Sequence, residues 1–157
     1  MRLALFEPDI PQNLGAFIRL SACLGAPLDV IEPCGFPVDD KRIRRTAMDY
    51  YDLANMTRHA SWNAFQRARQ LNRTPGRLVL LTTAGATRFP AVEFRSDDTL
   101  LLGRESAGVP AEVHDAADLR VRIPLQKGLR SLNVALAGAM VLSEALRQTA
   151  GFDALSD

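Results

Sequence analysis

Four short stretches hold the residue types from which a reactive site could be built. They are Asn13-Leu-Gly15-Ala-Phe-Ile-Arg19, Gly103-Arg-Glu-Ser-Ala-Gly108, Ile123-Pro-Leu125 and Arg130-Ser-Leu-Asn133. Gly103 and Gly108 bracket a turn in which backbone can come close to a ligand or take up unusual φ angles. Glu105, inside that turn, can accept hydrogen bonds from a ligand or from backbone amides, or stand as a solvated charge. Ser131 is placed as the N-cap of the last helix. Asn133 falls just inside that helix, where its amide calls for a buried polar partner or a ligand. Asn13 opens a helix, and Arg19 lies six positions on, as a surface arginine or a phosphate clamp. The chemistry these residues suit is a pocket with mostly backbone walls, fitted to a flat ligand, beside a polar face for a second substrate.

The elements that must position these residues follow from hydrophobic period. Leu3–Phe6, Leu28–Ile31, Leu78–Leu81, Thr99–Leu102 and Leu119–Ile123 read as strands. Between them run segments of helical period: 11–24, with Leu14, Phe17 and Ile18 on one side, a basic segment over 39–48, 61–71, 110–117 and 132–148. In 61–71, Ser61 is the expected cap and Trp62, Phe65 and Leu71 are the expected anchors. Alternation of strand and helix predicts an α/β fold, a single domain over 1–157 with a mainly parallel sheet and a loose tail after about 151. Open parallel sheets bind ligands beyond the carboxyl ends of their strands. Thr82-Thr83, 103–108 and 125–131 all fall there.

Bulk composition limits the class. With 157 residues, 47% hydrophobic and 24% charged, the chain is of ordinary globular type, and a net charge of +1 excludes a grossly basic coat protein. Basic character is local: Lys41, Arg42, Arg44 and Arg45 cluster on one helical segment bordered by Asp39 and Asp40. That cluster reads as a solvated face or as a nucleic-acid contact. Cys23 and Cys34 have no metal-ligand spacing, His59 and His114 are isolated, and no run reaches the roughly 20 apolar residues of a membrane span. A cytoplasmic protein without a metal is expected. Neither Gly-x-Gly-x-x-Gly nor Gly-x-x-x-x-Gly-Lys occurs, so dinucleotide and P-loop readings lose their main support.

Taken in order, the stretch from Glu7-Pro-Asp to Arg19, the stretch from Gly103 to Gly108-Val-Pro110, and Ile123-Pro-Leu with Arg130-Ser-Leu-Asn133 closely resemble the SPOUT superfamily of RNA methyltransferases. Within it the chain looks like the short tRNA (cytidine/uridine-34)-2′-O-methyltransferases, a likeness that Ile31-Glu-Pro and the 39–50 segment extend. The resemblance implies a C-terminal trefoil knot, S-adenosylmethionine as cofactor, and a homodimer with a shared active site acting on the tRNA anticodon stem-loop. By motif matching it implies cofactor walls at Leu81, Thr82, Gly103, Glu105, Gly108, Ile123, Leu125 and Ser131. Arg19, Asn13, Ser131 and Asn133 become the catalytic set, and Arg19, Lys41, Arg42, Arg45 and Arg130 the RNA contacts. The family assigns proton removal from the ribose hydroxyl to the arginine matching Arg19. An arginine side chain ordinarily titrates above about 12, so a phosphate clamp that stabilises the developing alkoxide is the preferred role. The alternatives are methylation of ribosomal RNA or of another tRNA position, or a non-catalytic RNA-binding factor with the same fold.

Overall fold

The computed structural model describes residues 1–38, 41–71 and 76–155. Short runs of Leu, Val, Ile and Ala form the strands, and continuous apolar runs of this kind are what a parallel sheet covered on both faces demands. Seven strands, β1 (Arg2–Phe6), β2 (Leu28–Ile31), β3 (Met56–His59), β4 (Leu78–Leu81), β5 (Thr87–Arg88), β6 (Thr99–Leu102) and β7 (Leu119–Arg122), pair in the order β3-β2-β1-β6-β4-β7-β5. Every pairing is parallel.

Successive strand residues point to opposite faces, and the core divides accordingly. Leu3, Leu5, Leu28, Val30, Leu100 and Leu102 pack beneath α1 (Pro11–Leu24), α2 (Lys41–Ala47) and α5 (Val134–Gln148). Ala4, Phe6, Ile31, Leu80 and Leu101 pack on the other face against α3 (Trp62–Leu71) and α4 (Ala111–Asp115), through Trp62, Phe65 and Val113. On α1 the predicted stripe of Leu14, Phe17 and Ile18 is buried, each such side chain contributing about 1.5–3 kcal/mol. Gly15 lets α2 approach: a Cβ there would lie 2.7 Å from Thr46 Cβ and 2.8 Å from the Ile43 carbonyl.

Two strands escape the sequence reading. β3, Met-Thr-Arg-His, buries only His59, so it has no apolar run; pairing with β2 makes it a strand. Its buried histidine meets Asp29 Oδ1 through Nε2 at 2.7 Å, and Arg2 Nε donates to Asp29 Oδ2 at 3.0 Å. That cluster ties three strands together and gives His59 a structural role. β5 is only two residues long.

Two further expectations are corrected. Leu71 is 84% exposed and anchors nothing; Trp62 and Phe65 hold α3, with Ser61 Oγ accepting from Ala64 N–H at 3.2 Å. Pro110 is the cap of α4 rather than its first residue. Residues 151–154 form a 3₁₀ turn against α5. The basic segment is helical from Lys41 to Ala47, while its acidic start, Asp39 and Asp40, lies outside the described residues. Among the described residues no helix is long and apolar enough to cross a membrane.

Candidate functional site

β1, β2 and β3 wind to one side of the sheet, and the chain then crosses to lay β4, β6 and β7 on the other. At that reversal, beyond the carboxyl ends of β6, β4 and β7, a cleft of about 460 Å³ opens. This is where open α/β sheets place ligands. Its floor and walls are apolar, with Leu80, Leu102, Val121, Ile123, Val134 and Ala137 among them, and loop backbone forms the rim. Leu81, Thr82, Gly103, Glu105, Gly108, Leu125 and Ser131 all line it, as do Asn13, Arg130 and Asn133.

The 103–108 loop is a tight hairpin. Arg104 N–H donates to the Gly108 carbonyl and Gly108 N–H to the Arg104 carbonyl, each at 2.9 Å. Gly108 has φ +67°, and a Cβ on Gly103 would lie 2.6 Å from the Gly108 carbonyl carbon. Because that neighbour is backbone, it cannot give way without opening the hairpin. Gly103→Ala is therefore expected to leave the chain folded but weaken binding of the cofactor that the resemblance implies at least about tenfold, the equivalent of about 1.4 kcal/mol of loop distortion. Calorimetric titration of the variant with S-adenosylmethionine checks this, and unchanged affinity refutes it.

Glu105 is turned inward to the protein. Its Oε2 accepts the Asp9 amide at 3.0 Å and its Oε1 accepts Asn13 Nδ2 at 2.9 Å. The clasp is reciprocal, because Glu105 N–H donates to Asp9 Oδ1 at 3.2 Å and Ser106 N–H to Asp9 Oδ2 at 3.3 Å. Burial, and then the neighbouring Asp9 side chain, raise the Glu105 carboxyl above its ordinary value. Asp9 is held below its own ordinary value, chiefly by the hydrogen bond with Glu105 and also by Ser106. Two residues back along the chain from Asp9, Glu7 takes up a left-handed φ of 45°, which costs about 1–2 kcal/mol for a side-chain-bearing residue. Its carboxylate pairs with Arg104 and its amide donates to the Ile31 carbonyl at 2.8 Å.

Asn13 carries the chain of hydrogen bonds onward. Its Oδ1 accepts Asn133 Nδ2 at 3.0 Å, and Asn133 Oδ1 accepts the amides of Ala135 at 2.9 Å and Leu136 at 3.2 Å. Glu105 Oε1 is the acceptor for Asn13 Nδ2, so Glu105 dictates the orientation of Asn13. Asn13 dictates that of Asn133, and the helix amides complete the relay. Asn133 is thus the N-cap of α5. The expectations that Ser131 caps this helix and that Asn133 lies within it are both overturned. Ser131 is exposed at the rim of the cleft.

Other predicted residues lie elsewhere. Arg19 is exposed and does not line the cleft; it stacks over the Tyr50 ring at 5.2 Å and touches Met48 Sδ at 3.5 Å. Six residues after Asn13, it sits about 9 Å along α1 and about a third of a turn round it. Lys41, Arg42 and Arg45 are exposed on α2, also away from the cleft. Asp9, the other half of the Glu105 clasp, escapes the sequence reading, although its place in Glu7-Pro-Asp is a signal for it. No group of three metal-ligating side chains occurs among the described residues.

The profile of the SpoU rRNA Methylase family matches residues 1–143. A tRNA (cytidine(34)-2′-O)-methyltransferase of Ancylobacter novellus is 58% identical over 97% of this chain and 95% of its own length. The Escherichia coli K12 protein of the same name is 42% identical over 94% of this chain and 93% of its own. A solved structure described as giving insights into the 2-OH methylation of C/U34 on tRNA superposes with a TM-score of 0.87, at 35% identity over 94% of both chains. The SpoU methyltransferase AviRb from Streptomyces viridochromogenes, solved with AdoMet, gives a TM-score of 0.85 at 29% identity. This chain covers 57% of that protein.

Proposed function

The chain belongs to the SpoU rRNA Methylase family, and from that premise we propose that it is an S-adenosylmethionine-dependent methyltransferase. Its target is the ribose 2′-hydroxyl of the wobble nucleotide, position 34, of tRNA, as its relatives' names describe for them. The observation that carries this reading is the cleft in which the three motif loops meet, braced by the Glu105–Asn13–Asn133 relay. The cleft fits a nucleoside-sized cofactor, being of suitable volume, apolar in its depth and rimmed by backbone. Leu81, Thr82, Gly103, Gly108, Ile123, Leu125 and Ser131 would hold S-adenosylmethionine, which supplies an electrophilic methyl group when bound. Glu105 belongs to the walls as a brace, since both its oxygens are occupied by protein donors.

Arg19 is the catalytic candidate, acting as a fork on the phosphate next to the target ribose and on the alkoxide that develops there. Its distance from its own chain's cleft supports a homodimer in which Arg19 of the partner subunit serves each cleft. A surface for that dimer is present: Leu136 and Met140, one turn apart on α5, are 60% and 44% exposed, and Leu132, just ahead of the cap, is 39% exposed. Such a stripe on a helix next to the cleft is a natural interface core. Leu136→Asp is expected to weaken self-association more than about tenfold and to abolish transfer with it; sedimentation equilibrium and turnover measured together check the link. Transfer by a monomeric variant would refute the shared site.

The path of the chain also supports the trefoil knot. After β7 it passes through 123–133 along the strand ends, and α5 then returns to pack on α1 and β6, on the far side of β4. True knots are rare. A cytoplasmic location suits a tRNA substrate and the free thiols of Cys23 and Cys34.

The deciding experiment incubates the protein with methyl-labelled S-adenosylmethionine and unfractionated tRNA, then maps the label. Label on the 2′-oxygen of nucleotide 34 is the expected result. Label on another nucleotide overturns the position, absence of label on tRNA overturns the substrate, and failure to bind the cofactor overturns the enzyme.

A further inference from the structure

A second cleft, of about 470 Å³, adjoins the first and shares Thr83, Ile123, Leu125 and Arg130 with it. Four cations line it, Arg88, Arg122, Lys127 and Arg130, and among the described residues no carboxylate does. Arg88 and Arg122 lie directly opposite one another on β5 and β7. Like charges so placed destabilise a sheet, and among the described residues neither arginine has an ion-pair partner to offset the repulsion. Lys127 and Arg130 come from the loop that turns back at Gly128, where φ is +89°. In a chain whose net charge is only +1, an acid-free pocket of four cations is a local concentration of positive charge beside the cofactor cleft. Structural economy does not account for it.

We infer that this basic cleft holds backbone phosphates of the substrate RNA strand, next to the nucleotide that enters the cofactor cleft. The inference rests on the reading of the protein as an RNA methyltransferase and adds a docking groove to it. Guanidinium forks suit phosphodiester oxygens, and contacts of this kind position the RNA without reading its sequence. Arg88, Arg122 and Lys127 are positioning residues in this scheme. Arg130, at the junction of the two clefts, would hold the next phosphate along the strand from the one that Arg19 grips.

The double variant Arg88→Gln, Arg122→Gln tests it in the full-length protein, with Lys41→Gln, Arg45→Gln on α2 as a comparison. The slope of log Kd for tRNA against log salt is expected to shrink by about 1.4–1.8, at about 0.7–0.9 for each phosphate no longer neutralised. The apparent KM for tRNA should rise at least about tenfold, with kcat at saturating tRNA and the cofactor Kd within about twofold of the parent. Thermal stability should hold or rise, since a like-charge pair is removed; a loss of stability with an unchanged salt slope would mean a structural role and overturn the inference. An unchanged slope and KM would also overturn it, whichever residues the α2 comparison implicates. Because the salt slope is a binding measurement, it stands even where turnover is absent. Failure of the methyltransferase reading and failure of the docking groove are therefore told apart.

Discussion

Arg19→Ala is expected to lower methyl transfer at least about 10²–10³-fold, the scale for removing one donor to a developing oxyanion, while the cofactor Kd stays within about twofold. The second half of that expectation comes from the structure: Arg19 is outside the residues that line its own chain's cleft. Stability should also be nearly unchanged, since the side chain is exposed and rests against Tyr50 and Met48; exposed substitutions stay within about 0.5 kcal/mol. Arg19→Lys keeps a cation but loses the planar fork, so it should recover little. The shared-site reading adds a sharper test. Mixing Arg19→Ala with a variant that cannot bind cofactor should restore about a quarter of parental activity, because a random mixture puts about half its chains in heterodimers and each heterodimer has one complete site. No recovery, with heterodimers shown to form, would place Arg19 and the cofactor in the same subunit.

Asn13→Asp should be the most damaging isosteric change in the relay, and its effect should depend on pH. Asn13 Nδ2 is the donor to Glu105 Oε1; an aspartate there sets a further carboxylate, besides Asp9, against one whose pKa burial and Asp9 already raise. Two carboxylates at hydrogen-bonding distance share a proton and one titrates high. A raised pKa in the folded state means that the native form holds the proton more tightly, so stability is greatest below the ordinary value of 4.5 and falls as pH rises through the folded pKa. Asp9 runs the other way: its pKa is depressed, so its contribution is present above 3.8 and is lost as pH falls through the folded pKa. The parent clasp is accordingly most favourable near the overlap of these ranges, and the variant's deficit should widen from there toward neutrality. Losing this partly buried hydrogen bond costs about 1–3 kcal/mol. Denaturant unfolding of parent and variant at pH 5 and pH 8 checks the trend; a deficit independent of pH would mean that the introduced carboxylate and Glu105 do not share a proton. Asn13→Ala, which adds no charge, should show the smaller and flatter loss.

The predicted strands β1, β2, β4, β6 and β7 and the long helices were legible in the sequence because the information for them is local. A run such as Leu100-Leu-Leu102 can bury both faces only in a covered parallel sheet, and the spacing of Leu14, Phe17 and Ile18 builds one side of α1 by itself. The convergence of three loops at one sheet edge follows from chain direction in a parallel sheet, so those loops could be named in advance, while the individual wall residues were named from the family resemblance. β3 and β5 could not, because their residues carry no apolar pattern. Backbone pairing, and for β3 the bond between His59 and Asp29, make them strands.

The cap of α5 shows the boundary between the two kinds of information. Arg130-Ser-Leu-Asn133 contains two competent caps, and nothing within those four residues ranks them. Asn13, 120 positions away, ranks them by presenting an acceptor to Asn133 Nδ2, and Asn13 is itself oriented by Glu105. In the same way the sequence places Arg19 in one motif with Asn13, yet helix geometry turns the two apart. By itself the sequence determined the elements that carry an apolar pattern, the sheet class and the loops gathered at its edge. The tertiary structure alone decided which polar groups satisfy one another and which arginines share a cleft, because a hydrogen bond or a charge cluster depends on which distant segments meet.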